Sequence, residues 1–160
     1  MPTSGPRLLG VLALVAAALT LAAARPGDIK PCELLTPAQV ATVLPKSQPG
    51  YVAADGQSLL KGVKSYQCSY INEAMSGLTV VVTVAEDDAA FEKIKPSKSK
   101  YEDDRPVAIG DQGWVYGEGN DLKVAAVKGR TLINLELMAP GAGGKTDAVV
   151  ELARAVAKKV

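Results

Sequence analysis

Leu78-Thr79-Val80-Val81-Val82-Thr83-Val84 is the stretch that decides the fold. Leu78, Val80, Val82 and Val84 alternate with Thr79, Val81 and Thr83, the period of two that marks a strand with one face on a core. Tyr66 to Ile71 reads as its partner strand, carrying Cys68, and the six residues Asn72 to Gly77 between them suit a hairpin loop. Downstream, Thr131 to Met138 repeats the alternation, with Ile133, Leu135 and Leu137 inward and Asn134 and Glu136 outward. Leu122 to Val127 joins it through Gly129-Arg130, where glycine at the first central position signals a type II′ hairpin. Val107 to Ile109, the turn at Gly110-Asp111 and the strand Trp114-Val115-Tyr116 complete a meander. Ser47 to Lys64, rich in Gly, Ser and Gln, reads as loop, with at most a short strand near Tyr51-Val52-Ala53.

Three helices punctuate these strands. Thr36 is the N-cap of the first, Pro37 takes the first helical position, Gln39 completes a capping box, and Leu35 staples onto Val40. Pro45 ends it near Leu44. Asp87 or Asp88 caps a second short helix with Phe91 and Ile94 on its apolar side, ended by Pro96. Ser97 to Arg105 follows as a charged loop. The last helix is expected from about Asp147 to Lys159, capped by Thr146, with Val149, Leu152, Ala153, Val156 and Val160 as one apolar stripe. The predicted fold is α+β: an antiparallel sheet of about five to six strands with helices packed on one face.

The N-terminus sets the compartment. Arg7 precedes the apolar run Leu8 to Leu21 and the A-x-A site Ala22-Ala23-Ala24, which together read as a secretory signal peptide over residues 1–24. The 14-residue run is shorter than the roughly 20 residues of a spanning helix, so the expectation is cleavage, with a retained anchor as the alternative. Residues 25–31 form a mobile leader and 32–160 a single domain. Removing 24 of 160 residues leaves 136, enough for one core. It also removes Arg7, leaving 17 Lys and Arg against 17 Asp and Glu. A neutral chain lacks the cation excess that nucleic-acid or anionic-membrane binding needs, so contact with a membrane is expected only during export.

The chain has no histidine. The usual general base near neutral pH and the commonest transition-metal ligand are both missing, and Ser-His-Asp and Cys-His catalysis are excluded as normally built. The two cysteines, Cys32 and Cys68, are an even count in an exported chain and pair by default. Tyr66 and Tyr70 share the face of Cys68 and are expected to pack around the bridge. Ala139 to Thr146 (A-P-G-A-G-G-K-T) fits a relaxed phosphate-loop pattern between a strand and a helix. Only 14 residues follow Thr146, too few for the parallel strands of a nucleotide-binding fold, so a Gly-rich strand-to-helix loop is the expectation. The acidic runs Glu86-Asp87-Asp88 and Glu102-Asp103-Asp104 lack the alternate spacing of a Ca²⁺ loop, and neither a metal nor a cofactor is expected. Trp114 and Tyr116, two apart on a strand, share a face. They either line a ligand or partner surface or pack into the core.

Three pieces of the chain, in order, resemble domain-of-unknown-function family 3558, a group of actinobacterial exported proteins and lipoproteins. They are Pro31-Cys32-Glu33-Leu34-Leu35-Thr36-Pro37, Cys68-Ser69-Tyr70 with the valine strand Leu78 to Val84, and Val107-Ala108-Ile109-Gly110-Asp111-Gln112-Gly113-Trp114. The chain departs from the family in lacking a lipobox cysteine, where Ala24 stands, and in carrying Tyr70 where the family often has Trp. The resemblance implies an α+β fold and a Cys32–Cys68 bridge, and carries over no catalytic residue. The expected function is a non-catalytic binding or interaction module, secreted or in the cell envelope, whose partner is an envelope or extracellular protein or a small ligand. The alternatives are a cofactor-free hydrolase and an inhibitor of extracellular enzymes.

Overall fold

A computed structural model of the chain describes residues 29–96, 105–117 and 119–160. The expected signal peptide, residues 1–24, and residues 97–104 of the expected charged loop lie outside the described residues. The elements run α1 (Pro37–Ala41), β1 (Gln48–Leu60), β2 (Val63–Ile71), β3 (Gly77–Ala85), α2 (Asp88–Ile94), β4 (Arg105–Pro106), β5 (Gln112–Tyr116), β6 (Asp121–Lys128), β7 (Thr131–Met138) and α3 (Thr146–Ala157). Short 3-10 turns precede α1 and α3.

The strands form one antiparallel sheet in the order β1-β2-β3-β7-β6-β5-β4. The alternating stretch is its centre. Val80 pairs with Cys68 on one side and Leu135 on the other, and Val82 with Tyr66 and Ile133. Side chains of like parity therefore line one face, and Tyr66, Leu78, Val80, Val82, Leu122, Ile133 and Leu137 are fully buried there. Val40 of α1 and Val149, Ala153 and Val156 of α3 complete this core.

The sheet has seven strands among the described residues, more than the five to six expected. Two edges account for the difference. β4 is only two residues long. β1 spans thirteen residues where a loop was expected, because pairing with β2 orders a segment that has no alternation of its own. Its ladder shifts register at three points. One of them surrounds Gly56, whose φ of 73° and closeness to the Tyr66 ring, 2.9 Å from a Cβ placed there, admit no side chain. Such bulges, and Pro106 in β4, blunt both edges against pairing with another chain.

The helices are not all on one face. α2 packs with Val63 and Ala85, whose parity is opposite to that of the main core, in a separate small cluster holding Ala90, Phe91 and Ile94. Asp87 caps α2 by accepting from the Ala90 N–H at 2.7 Å. The α1 capping box forms as its sequence predicts: Thr36 Oγ1 accepts from Gln39 N–H at 3.2 Å, and Gln39 Oε1 accepts from Thr36 N–H at 2.9 Å. α1 ends at Ala41, three residues before Leu44, in turns bonded to the Gln39 and Val40 carbonyls. Thr146 is not the cap of α3. It is the first helical residue, and its hydroxyl donates to the Gly143 carbonyl at 2.9 Å. No helix among the described residues is long and apolar enough to cross a membrane.

Candidate functional site

Cys32 and Cys68 are joined in a disulfide, with Cα atoms 5.2 Å apart. The bridge fastens the 3-10 turn Pro31–Glu33, outside the sheet, to the middle of β2. Tyr66, Cys68 and Tyr70 are all buried around it. Tyr70 donates its hydroxyl to the Cys32 carbonyl at 3.1 Å, and burial raises its pKa above the ordinary tyrosine value. Ile29 and Pro31, at the end of the segment expected as a mobile leader, are buried as well.

Trp114 and Tyr116 do share a face, and it is the one opposite the main core. Their neighbour Val115 has the core parity and is buried, while both aromatics are half-buried. Cross-strand pairing sets each of them in a row. Trp114 lies between Pro106 and Ala125, and Ala125 pairs in turn with Asn134. Tyr116 pairs with Lys123, which pairs with Glu136. Lys123 Nζ bonds Asp121 Oδ2 at 3.0 Å and Glu136 Oε1 at 3.1 Å. These two hydrogen bonds, that to Asp121 foremost, raise the Lys123 pKa above its ordinary value. Farther along the same face, on β2 and β3, the hydroxyls of Ser69 and Thr79 are 3.2 Å apart, as are those of Ser65 and Thr83. The result is a sheet surface with two aromatics at one side and a fixed ion pair and hydroxyl pairs beyond them.

On the other face α3 lies over β6 and β7. The inner side of β4 and β5 extends past it and leaves a groove of about 400 Å³. Val107 and Val115 line the sheet wall and Val150 the helix wall. This groove is not legible in the sequence, because Arg105, Val115 and Asp147 are brought to it only by the packing of α3 on the sheet.

The phosphate-loop match is used structurally. Lys145 Nζ donates to the Val43 carbonyl at 2.7 Å, 102 residues away, and so straps the start of α3 to the end of α1. Gly141, at φ 69°, donates its N–H to Asn120 Oδ1 at 3.0 Å. Lys145→Met is expected to cost about 1.5–3 kcal/mol, the worth of a charge-assisted bond, read as a lower urea midpoint. An unchanged midpoint would leave this strap without energetic weight.

The residues that carry the family resemblance have structural work of the same kind. Asp111 Oδ2 accepts from the Gly129 N–H at 2.6 Å, and Gly110, at φ 58°, lies against the Val127 carbonyl. In the first acidic run, Asp87 is a helix cap and Asp88 faces Arg130 at 3.9 Å; the second run lies outside the described residues. Among the described residues no group of three or more His, Cys, Asp or Glu is placed to hold a metal ion. Comparison with known proteins returns no match to this chain among family models, curated proteins or solved structures.

Proposed function

We propose that this chain is an exported binding or interaction module of the cell envelope or extracellular space, non-catalytic, whose contact surface is the sheet face around Trp114 and Tyr116. The observation that carries the reading is the position of the only tryptophan. It stands half-buried on the face away from the main core, beside a tyrosine, at an outer strand of the sheet. Half-buried Trp and Tyr on a rigid strand lose little entropy on binding and dominate contact energies in protein interfaces. The disulfide agrees with an oxidising compartment, and the sequence resemblance to domain-of-unknown-function family 3558 points to the same place. A chain without histidine also has no ready general base at neutral pH.

The test is a comparison of envelope pull-downs by wild type and Trp114→Ala, with thermal melts of both. A partner retained by wild type and weakened about 30-fold or more by the substitution, at a near-unchanged melting midpoint, is the expected result. Identical partner lists would remove this surface from the proposal. Sequencing of secreted material is expected to begin at Arg25, and retention of residues 1–24 would count against processed export.

A further inference from the structure

The groove beside α3 has a charge pattern that its position alone does not require. Arg105 pairs with Val115 across the β4–β5 ladder, so its side chain leaves the sheet on the α3 side. Across the groove, Asp147 and Glu151 are one helical turn apart on α3, with Val150 between them in the wall. Arg154 is already engaged: its Nε donates to the Ala108 carbonyl at 3.1 Å and its Nη1 pairs with Glu151. Among the described residues the side chains of Arg105 and Asp147 have no hydrogen-bonded or ion-paired partner, and both residues are exposed. Two arginines and two acids make the lining neutral overall, which disfavours a polyanion and equally a simple cation. The rest of the lining is mostly aliphatic: Pro106, Val107, Val115 and Val150, with Thr146.

We propose that this groove binds a small zwitterion with an aliphatic body, of the size of an unblocked dipeptide. Arg105 takes its carboxylate in a forked pair of N–H bonds. Asp147 takes its ammonium, and the valines take its side chains. A volume of about 400 Å³ lies at the lower end of the range for small-ligand sites, about 300–1,000 Å³. This site is on the opposite side of β5 from Trp114, so it stands or falls independently of the surface proposed above.

The test is an NMR titration of the purified, disulfide-bonded protein at neutral pH and low salt. The probes are leucyl-leucine and its N-acetylated, C-amidated counterpart. Saturable shifts centred on Val107, Val115 and Val150 are expected with the free dipeptide and not with the blocked one. Arg105→Gln and Asp147→Asn are each expected to weaken binding at least about tenfold, since each removes a charge-assisted bond from an exposed position that the fold does not use. Absence of saturable shifts at millimolar dipeptide overturns the proposal, as does equal binding of the blocked form. Weakening by Arg105→Gln alone would also overturn it, by reducing the groove to a carboxylate site.

Discussion

Replacing Cys32 and Cys68 together by alanine is expected to lower the unfolding free energy by about 4 kcal/mol. The residues are 36 apart in sequence, and a covalent loop of that size removes about this much entropy from the unfolded chain. The effect has a local side too. Ile29, Leu34 and Leu35 flank the bridge on the core, and the other polar ties of this segment are few. They are the Tyr70 hydroxyl on the Cys32 carbonyl and Lys159 Nζ on the Glu33 carbonyl at 3.0 Å. The Tyr70 bond contributes about 1 kcal/mol, and the Lys159 bond, charge-assisted but exposed to water, about as much, so the bridge outweighs both. For a domain of this size the melting midpoint is expected to fall by about 10–20 °C. Denaturant unfolding of the oxidised wild type against the double variant checks it. A difference under about 1 kcal/mol would mean that packing alone holds the N-terminal segment.

Leu137→Ala is expected to cost about 2–5 kcal/mol, with Met138→Ala, its immediate neighbour, within about 0.5 kcal/mol of wild type. Leu137 is fully buried between Leu78 on β3 and Leu122 on β6. Removing its side chain leaves a hole in the middle of the main core, walled by strands on both sides that cannot collapse inward. Met138 has the opposite parity and is 58% exposed, so its loss empties nothing. The pair separates position on the sheet from strand propensity, because both residues sit in the same strand. Similar costs for the two variants in urea unfolding would contradict the facing of β7.

Much of this was legible residue by residue. Leu78 to Val84, Ile133 to Leu137 and the α3 stripe carried their own periodicity, and each buries the face it predicts, save Val160, which lies past the end of α3 at Ala157 and is half-buried. Thr36 and Asp87 cap through their own side chains, which is chemistry confined to four residues. The misread segments are those whose structure depends on distant chain. Gln48 to Leu60 has turn-rich composition and becomes a strand only because β2 offers its edge. Thr146 looks like a cap, yet the 3-10 turn Ala142–Lys145 moves the helix start onto it. The facing of α2 follows from its contact with Val63, a residue with the parity opposite to the main core. For Trp114 and Tyr116 the shared face was readable from their spacing, but not which side of the sheet it would be.

Local sequence by itself therefore determined the period of each strong strand, the caps of α1 and α2 and the pairing of the only two cysteines, because those depend on neighbours along the chain or on simple count. Tertiary structure alone decided that β3 lies beside β7, that the two meanders merge into one sheet, that Lys145 reaches the Val43 carbonyl, and that Arg105 and Asp147 line one groove. The physical reason is that these are relations between segments tens of residues apart. They are chosen by burying two complementary apolar faces at once, and no single segment contains that information.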